Sequence, residues 1–312
     1  MTNKNIFKNE TKKLWNDKKY VKKYKNFKYS IKDSNTKYLV DRRNAVINYL
    51  NKLSGNNLKI LELGFGGGQN SKFFIDKSKK YIGIDISQPL VVFAKKKHKK
   101  SVTSNKAKFL IGSMDKKLKI KSNSCDVVII IGALQYVINP KYSLKECRRV
   151  LKKNGHLIIS QTNTFQINEM INLRKLIIHF GKYLLNETKQ KSHSDSLRSL
   201  FFETKLKKYF KKYEKSWLFN NFIFRYGWND KWKYQTNRSL LSFGRLRKTL
   251  INNNFTIIES SGHTFFYGKK NFVSKIIFSI FNIILNSLNR LFLFSYILRH
   301  ITASNTFLVK KR

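Results

Sequence analysis

Cysteine is nearly absent. Only Cys125 and Cys147 occur, each in an apolar context and far from any Cys/His cluster, which excludes a disulfide framework and gives no zinc-site spacing. A reducing, cytoplasmic setting is the expectation that follows. Proline is as scarce, with two residues, and the abundant lysine, asparagine, isoleucine and phenylalanine match the drift of an AT-rich coding sequence. The N-terminal MTNKNIFKNETKK carries no apolar h-region, so no signal peptide is expected.

Acid is the larger deficit. Lysine and arginine number 64 against 17 aspartates and glutamates, a formal charge of +47, and 51 of the 64 are lysine. Base drift accounts for the lysines but not for the missing acids. A surface of that sign attracts polyanions and anionic lipid whatever its origin, so nucleic acid and an anionic membrane surface both stand as partner classes. With 41% apolar residues the chain can bury a proper core, and its length fits one large domain with appendages.

What is present is a rhythm. Leu39, Val40, Val46, Ile47, Leu50 and Leu53 recur at helical spacing and predict an amphipathic helix over 37–53. Short β-branched runs follow at 58–64, 80–87, 107–114, 125–132 and 156–160, separated by helical patterns such as PLVVFAKKKH and YSLKECRRVLKKNG. Strands that are nearly continuous apolar runs, alternating with helices, predict an α/β fold with a doubly wound, mostly parallel sheet covered on both faces. Two late signals, FTIIESS at 255–261 and TFLVKK at 306–311, bring the sheet to seven strands. The expected organisation is N-terminal cap helices over 1–54, a ligand-binding core over 55–163, a helical and aromatic cap insertion over 164–249, and the last two strands over 250–312 with a helical insertion at about 263–303.

The stretch ILELGFGGGQNS, Ile60 to Ser71, sits where a first strand meets a helix, the place at which an open α/β sheet binds ligands. Gly64, Gly66 and Gly68 are spaced G-x-G-x-G, and Gln69 stands where a dinucleotide fingerprint needs its third glycine. No Gly-Lys-Ser/Thr follows, so a P-loop is excluded too. Asp85 closes the next strand about twenty residues on, where an acid can accept both hydroxyl protons of a ribose. Ser113-Met114-Asp115, after the third strand, offers an apolar wall and a second acid able to accept an amino proton from a purine.

Glycine turn, ribose acid and purine acid in this order resemble the class I S-adenosylmethionine-dependent methyltransferases, over roughly Leu58 to Ser160. Glu62-x-Gly64-x-Gly66-x-Gly68 looks like the first motif of that family, CDVVIIIGALQYVINP like the fourth-strand motif, and LKKNGHLIIS like the turn into the fifth strand. The resemblance implies a Rossmann-like methyltransferase fold that binds S-adenosyl-L-methionine through Glu62, Gly64, Phe65, Gly66, Gly68, Asp85, Ile86, Met114, Asp115 and Gly132. WNDKKYVKKYKNF and the helix carrying Arg42 and Arg43 are similar to the cap helices of such enzymes. The implied reaction is in-line methyl transfer to a small-molecule, lipid or saccharide acceptor. Two alternatives are an RNA-associated methyltransferase or basic nucleic-acid binder, and a domain that binds the cofactor without chemistry.

A base for that reaction is less legible. After the fourth strand, where a histidine is common in the family, the chain reads Gln135-Tyr136. His263, past the sixth strand, and Tyr136 and Tyr24 are the catalytic candidates, with Tyr20 and Tyr29 as comparable cap residues whose bland role is aromatic packing. No Asp/Asn-Pro-Pro-aromatic run or Pro-Cys nucleophile occurs, and Gln161-Thr162-Asn163 supplies no acids, so base methylation of DNA and a metal are not expected. Trp217, Phe219, Phe222, Tyr226, Trp228 and Trp232 either line an acceptor pocket or form the insertion's own core.

The apolar stretch Val273 to Ile301 has 14 residues without charge at its longest, Ile276 to Asn289, short of the ~20 that span a bilayer. Ser279, Asn282, Asn286, Asn289 and Arg290 recur at three- and four-residue steps as one polar stripe, so an amphipathic helix is expected. The apolar face then either packs on the enzyme's cap or lies peripherally in the headgroup layer of an anionic membrane.

Overall fold

The computed structural model describes residues 12–13, 15–26, 37–53, 57–163, 243–265, 280–285, 287–288, 298–299 and 301–312. Trp217, Phe219, Phe222, Tyr226, Trp228 and Trp232 lie outside the described residues, as does Tyr29, and the side chain of Tyr20 does too.

Two cap helices come first, α1 (Lys18–Lys25) and α2 (Lys37–Lys52). The core then runs β1 (Leu58–Leu63), α3 (Ser71–Asp76), β2 (Ser78–Asp85), α4 (Gln88–Lys97), α5 (Lys99–Thr103), β3 (Ala107–Ile111), β4 (Cys125–Ile131), α6 (Pro140–Val150) and β5 (Leu151–Thr162). It ends with α7 (Phe243–Asn252), β6 (Phe255–His263) and β7 (Ser304–Lys311). The strands form one seven-stranded sheet in the order β3-β2-β1-β4-β5-β7-β6. β1 to β5 pair in parallel, and β7 runs antiparallel to both β5 and β6. The expected α/β, mostly parallel sheet is the fold observed.

Period-two alternation divides the side chains of each strand between two cores. Leu61, Leu63, Val128 and Ile130 face one core, closed by Leu144, Cys147 and Val150 of α6 and by Phe243, Leu246 and Leu250 of α7. Ile60, Val127, Ile129 and Ile158 face the other, closed by Val46, Tyr49 and Leu50 of α2, Phe74 of α3, and Val91 and Ala94 of α4. Burial on both faces is why these strands read as unbroken apolar runs.

Strand bounds shift from the expected ones by one or two residues at most ends, and by more at two places. β5 begins at Leu151 rather than His156, because Leu151 already pairs with Cys125 and the chain bends through Asn154 at φ +65° before regular pairing resumes at His156. β3 stops at Ile111, so Met114 and Asp115 lie in the loop beyond it.

The chain leaves β1 toward β2 and β3, then returns to β4 on the other side. The carboxyl ends of β1 and β4 therefore flank the switch point, where the helices change faces and a crevice opens.

Phe307 of β7 is fully buried and stacks on Phe243 at 5.1 Å between ring centroids with 22° between planes. Phe307→Ala should lower the free energy of unfolding by about 3–5 kcal/mol, read as a shift in the urea midpoint, while cofactor affinity below the midpoint stays unchanged.

Candidate active site

β1 ends at Leu63 and the chain turns at once through Gly64, Gly66 and Gly68, at φ +73°, +59° and +67°. The Gly64 amide donates to the Ile84 carbonyl at 2.8 Å, binding the turn across the end of β2. A Cβ at Gly64 would stand 2.3 Å from the Ala133 Cβ, so no side chain fits. At Gly66 it would meet nothing nearer than Tyr24 Cδ1 at 3.7 Å: this glycine faces open space.

That space is a cavity of about 530 Å³ at the switch point. Glu62, Gly64, Phe65 and Gly66 wall it from β1 and its turn, Asp85 and Ile86 from β2, Met114 and Asp115 from the loop after β3, and Gly132 and Tyr136 from beyond β4. Trp15, Tyr24, Tyr38 and Arg42 close it from the cap. Nine of the ten residues assigned to the cofactor by resemblance meet here. Gly68 does not: its carbonyl lies 3.0 Å from His98 Nε2, and its place is to seat the turn against Ala94 and His98 at the end of α4.

Asp85 Oδ2 accepts from the Gly66 amide at 2.8 Å and Oδ1 from the Ser87 amide at 2.9 Å. Burial pushes its carboxyl up to about 6 against the opposing pull of those backbone donors. Asp115 Oδ1 accepts from the Ile138 and Asn139 amides at 2.8 and 2.9 Å, so it also fixes the chain beyond β4. Glu62 sits deeper. Its Oε2 accepts from Ser71 Oγ at 2.8 Å and Tyr81 OH at 2.5 Å, and burial raises it to about 7. Tyr81 and Ser71 escaped the sequence reading, yet Ile60 pairs with Tyr81 and shares a face with Glu62, so strand register points to the tyrosine.

Arg42 is the other residue that the motifs do not contain. It is 8% exposed, its Nε has no hydrogen-bond partner, and its guanidinium crowds Gly132, where a Cβ would meet Nη2 at 2.8 Å. Gln135, also 8% exposed, lines the same cavity, and its Oε1 is buried without a hydrogen-bond partner. Buried polar atoms without partners are costly, so both side chains are held here at the expense of stability.

His263 must be corrected as a base. It does not line the cavity; Nε2 lies 3.1 Å from both Ser261 Oγ and Thr306 Oγ1, between β6 and β7. Burial, with the Arg42 charge, lowers it to about 4, so it is a neutral structural residue. Tyr24 and Tyr136 do reach the cavity. Each packs edge-on against Trp15, with centroids 5.1 Å apart, forming an aromatic wall between cap and core.

S-adenosylmethionine would fit these residues, with the glycine turn, Glu62 and Arg42 toward its zwitterionic end and Asp85 toward the ribose. The order and directions of the seven strands, with the cavity at their switch point, are those of a Rossmann-like methyltransferase fold. Residues 61–159 match the family model described as a methyltransferase domain. An uncharacterised protein of Methanocaldococcus jannaschii is 32% identical over 99 residues, covering 32% of this chain and 42% of that one. A ubiquinone biosynthesis O-methyltransferase of Photobacterium profundum is 27% identical over 123 residues, 39% of this chain and 50% of its own length. The chain thus aligns with half or less of these relatives. A chain from the complex between the Haloferax volcanii Trm112 methyltransferase activator and a methyltransferase shares the fold, with TM-score 0.51 at 13% identity over 87% of this chain and 90% of that one.

Two outcomes follow. Gly66→Val should abolish binding of S-adenosylhomocysteine in calorimetry by filling the open space, and because φ +59° strains a β-branched residue, a circular dichroism melt must accompany it. The folded state holds the Glu62 proton more tightly than the unfolded chain, so this contribution to stability is full below the unfolded value of 4.5 and lost as pH rises through about 7. Glu62→Gln should therefore remove a pH-dependent difference on the order of 3 kcal/mol between pH 4.5 and 8, seen by comparing urea midpoints of both proteins.

Proposed function

We propose that the protein transfers a methyl group from S-adenosylmethionine to a hydroxyl oxygen of a small-molecule or lipid-borne acceptor. One observation carries this reading: the cavity at the switch point gathers Glu62, Gly66 and Asp85 from two strand ends within the stretch that matches the methyltransferase domain. An oxygen acceptor is supported by the O-methyltransferase names of the Photobacterium profundum and Pelagibacter ubique relatives.

When bound, the cofactor would supply an electrophilic sulfonium methyl group for the acceptor oxygen, with its sulfur as the leaving group. The chain's part is positioning and the exclusion of water. Asp85, anchored by the Gly66 and Ser87 amides, would hold the ribose end. Arg42 would pair with the methionine carboxylate, and Glu62 would accept from its ammonium. Trp15, Tyr24 and Tyr136 shut the cavity toward the cap. Gln135 and Tyr136, which line the cavity, would orient the acceptor's oxygen; with no base among the lining residues assigned that role, a phenolic hydroxyl, acidic enough to give its proton to bulk water before it enters, suits this reading best.

Calorimetric titration with S-adenosylhomocysteine tests the cofactor site, and no heat at tens of micromolar protein overturns it. Asp85→Ala should weaken that binding roughly ten- to a hundred-fold, ~1.5–3 kcal/mol, whereas Asp85→Asn, which keeps an acceptor for the Gly66 amide, should lose less. Radiolabelled S-adenosylmethionine offered with a phenol, a lipid extract and an oligosaccharide then identifies the acceptor by which fraction gains label. Label in none of the three while cofactor binds would leave a binding domain without transfer.

A further inference from the structure

β6 ends at His263 and β7 begins at Ser304, and these two residues pair beside Thr162, which belongs to the cavity wall. The intervening insertion therefore leaves and rejoins the sheet at the edge that carries the cavity. Its roots are tied down. Thr264 donates to Asp41 of α2 at 2.5 Å, the Ala303 amide donates to the Thr264 carbonyl at 2.7 Å, and the Asn163 side chain donates to the Thr302 carbonyl at 3.0 Å.

Within the insertion, residues 280–285 are helical. Asn282, a member of the polar stripe, is turned inward. It is 5% exposed and accepts from the Phe265 amide at 2.9 Å, a bond that sets the rotation of the helix. The other stripe residues lie outside the described residues. Leu285 and Leu288 pack toward Phe265 and Leu298, while Ile280, Ile283 and Ile284 are 51%, 64% and 49% exposed. Spaced i, i+3, i+4, these three isoleucines make one apolar face turned outward.

Charge chooses what covers it. From Ser260 to Arg312 the chain has no acidic residue, and Lys269, Lys270, Lys275, Arg290 and Arg299 bracket the helix. A second copy bearing +47 would be repelled, and nucleic acid offers nothing apolar to this face. Among the described residues no helix is long and apolar enough to cross a membrane. We propose that Ile280, Ile283 and Ile284 dock the protein on an anionic lipid bilayer, with this apolar face in the headgroup layer. Only the delivery of a lipid-borne acceptor rests on the methyl-transfer reading; the docking itself does not.

Sedimentation with vesicles of phosphatidylglycerol and phosphatidylcholine, against phosphatidylcholine alone, is the test. The wild type should pellet with the anionic vesicles and keep a salt-resistant fraction, since salt screens the basic residues but not the isoleucines. Ile280→Ser, Ile283→Ser and Ile284→Ser combined should lose that fraction and partition about tenfold or more weakly. Unchanged pelleting of this variant, or loss of the face to a dimer in sedimentation equilibrium, overturns the proposal. S-adenosylhomocysteine binding is measured on each preparation, so failed docking with intact binding counts against docking alone. Should the triple variant not fold, Ile283→Cys carrying an environment-sensitive dye decides the matter, because Cys125 and Cys147 are buried and will not label. A blue shift with anionic vesicles supports docking, and an unmoved spectrum overturns it.

Discussion

The Asp85 carboxylate bridges two backbone amides that belong to different strand ends, Gly66 in the turn after β1 and Ser87 at the start of α4. That one group holds the glycine turn open over the cavity and aligns the start of α4 beside it. Its cost is burial: two neighbouring carboxyls, Asp85 and Glu62, are withdrawn from water and both bind protons more tightly than in the unfolded chain. Backbone donors and the Tyr81 and Ser71 hydroxyls offset part of it. A bound cation or hydroxyl pair offsets more, so the cofactor site is under electrostatic tension that a ligand relieves.

From that bridge the caps follow. Ser87 Oγ donates to the Trp15 carbonyl at 2.6 Å, and Gln69 donates to the Tyr24 carbonyl, so the loops that frame the cavity also seat its cover. Thr264 reaches Asp41 of α2 from the opposite end of the sheet order. Segments far apart in sequence thus converge on one edge because a parallel sheet sends the carboxyl ends of its strands in one direction. The roots of the insertion between β6 and β7 and the aromatic wall share that edge.

Much of this was legible in the residues. The unbroken apolar runs of β1, β2 and β4 follow from burial on both faces, and the glycine spacing with Asp85 and Asp115 follows from what a nucleoside needs. Gly68 and His263 lie away from the cavity for one reason. Their side of the chain depends on packing against α4 in one case and on strand pairing between β6 and β7 in the other, neither of which is a local property. Arg42 lay in view within the cap helix, but nothing in its neighbours marks it as the member turned inward.

The order of strands and helices, the glycine turn and the acids beyond β2 and β3 were determined by sequence alone, because hydrophobic period and turn chemistry are encoded over a few residues. Tertiary structure alone decided which face of the 280–285 helix meets water. Periodicity defines a polar stripe without saying where it points, and it took the Phe265 amide, seventeen residues away, to draw Asn282 inward and leave the isoleucines outside.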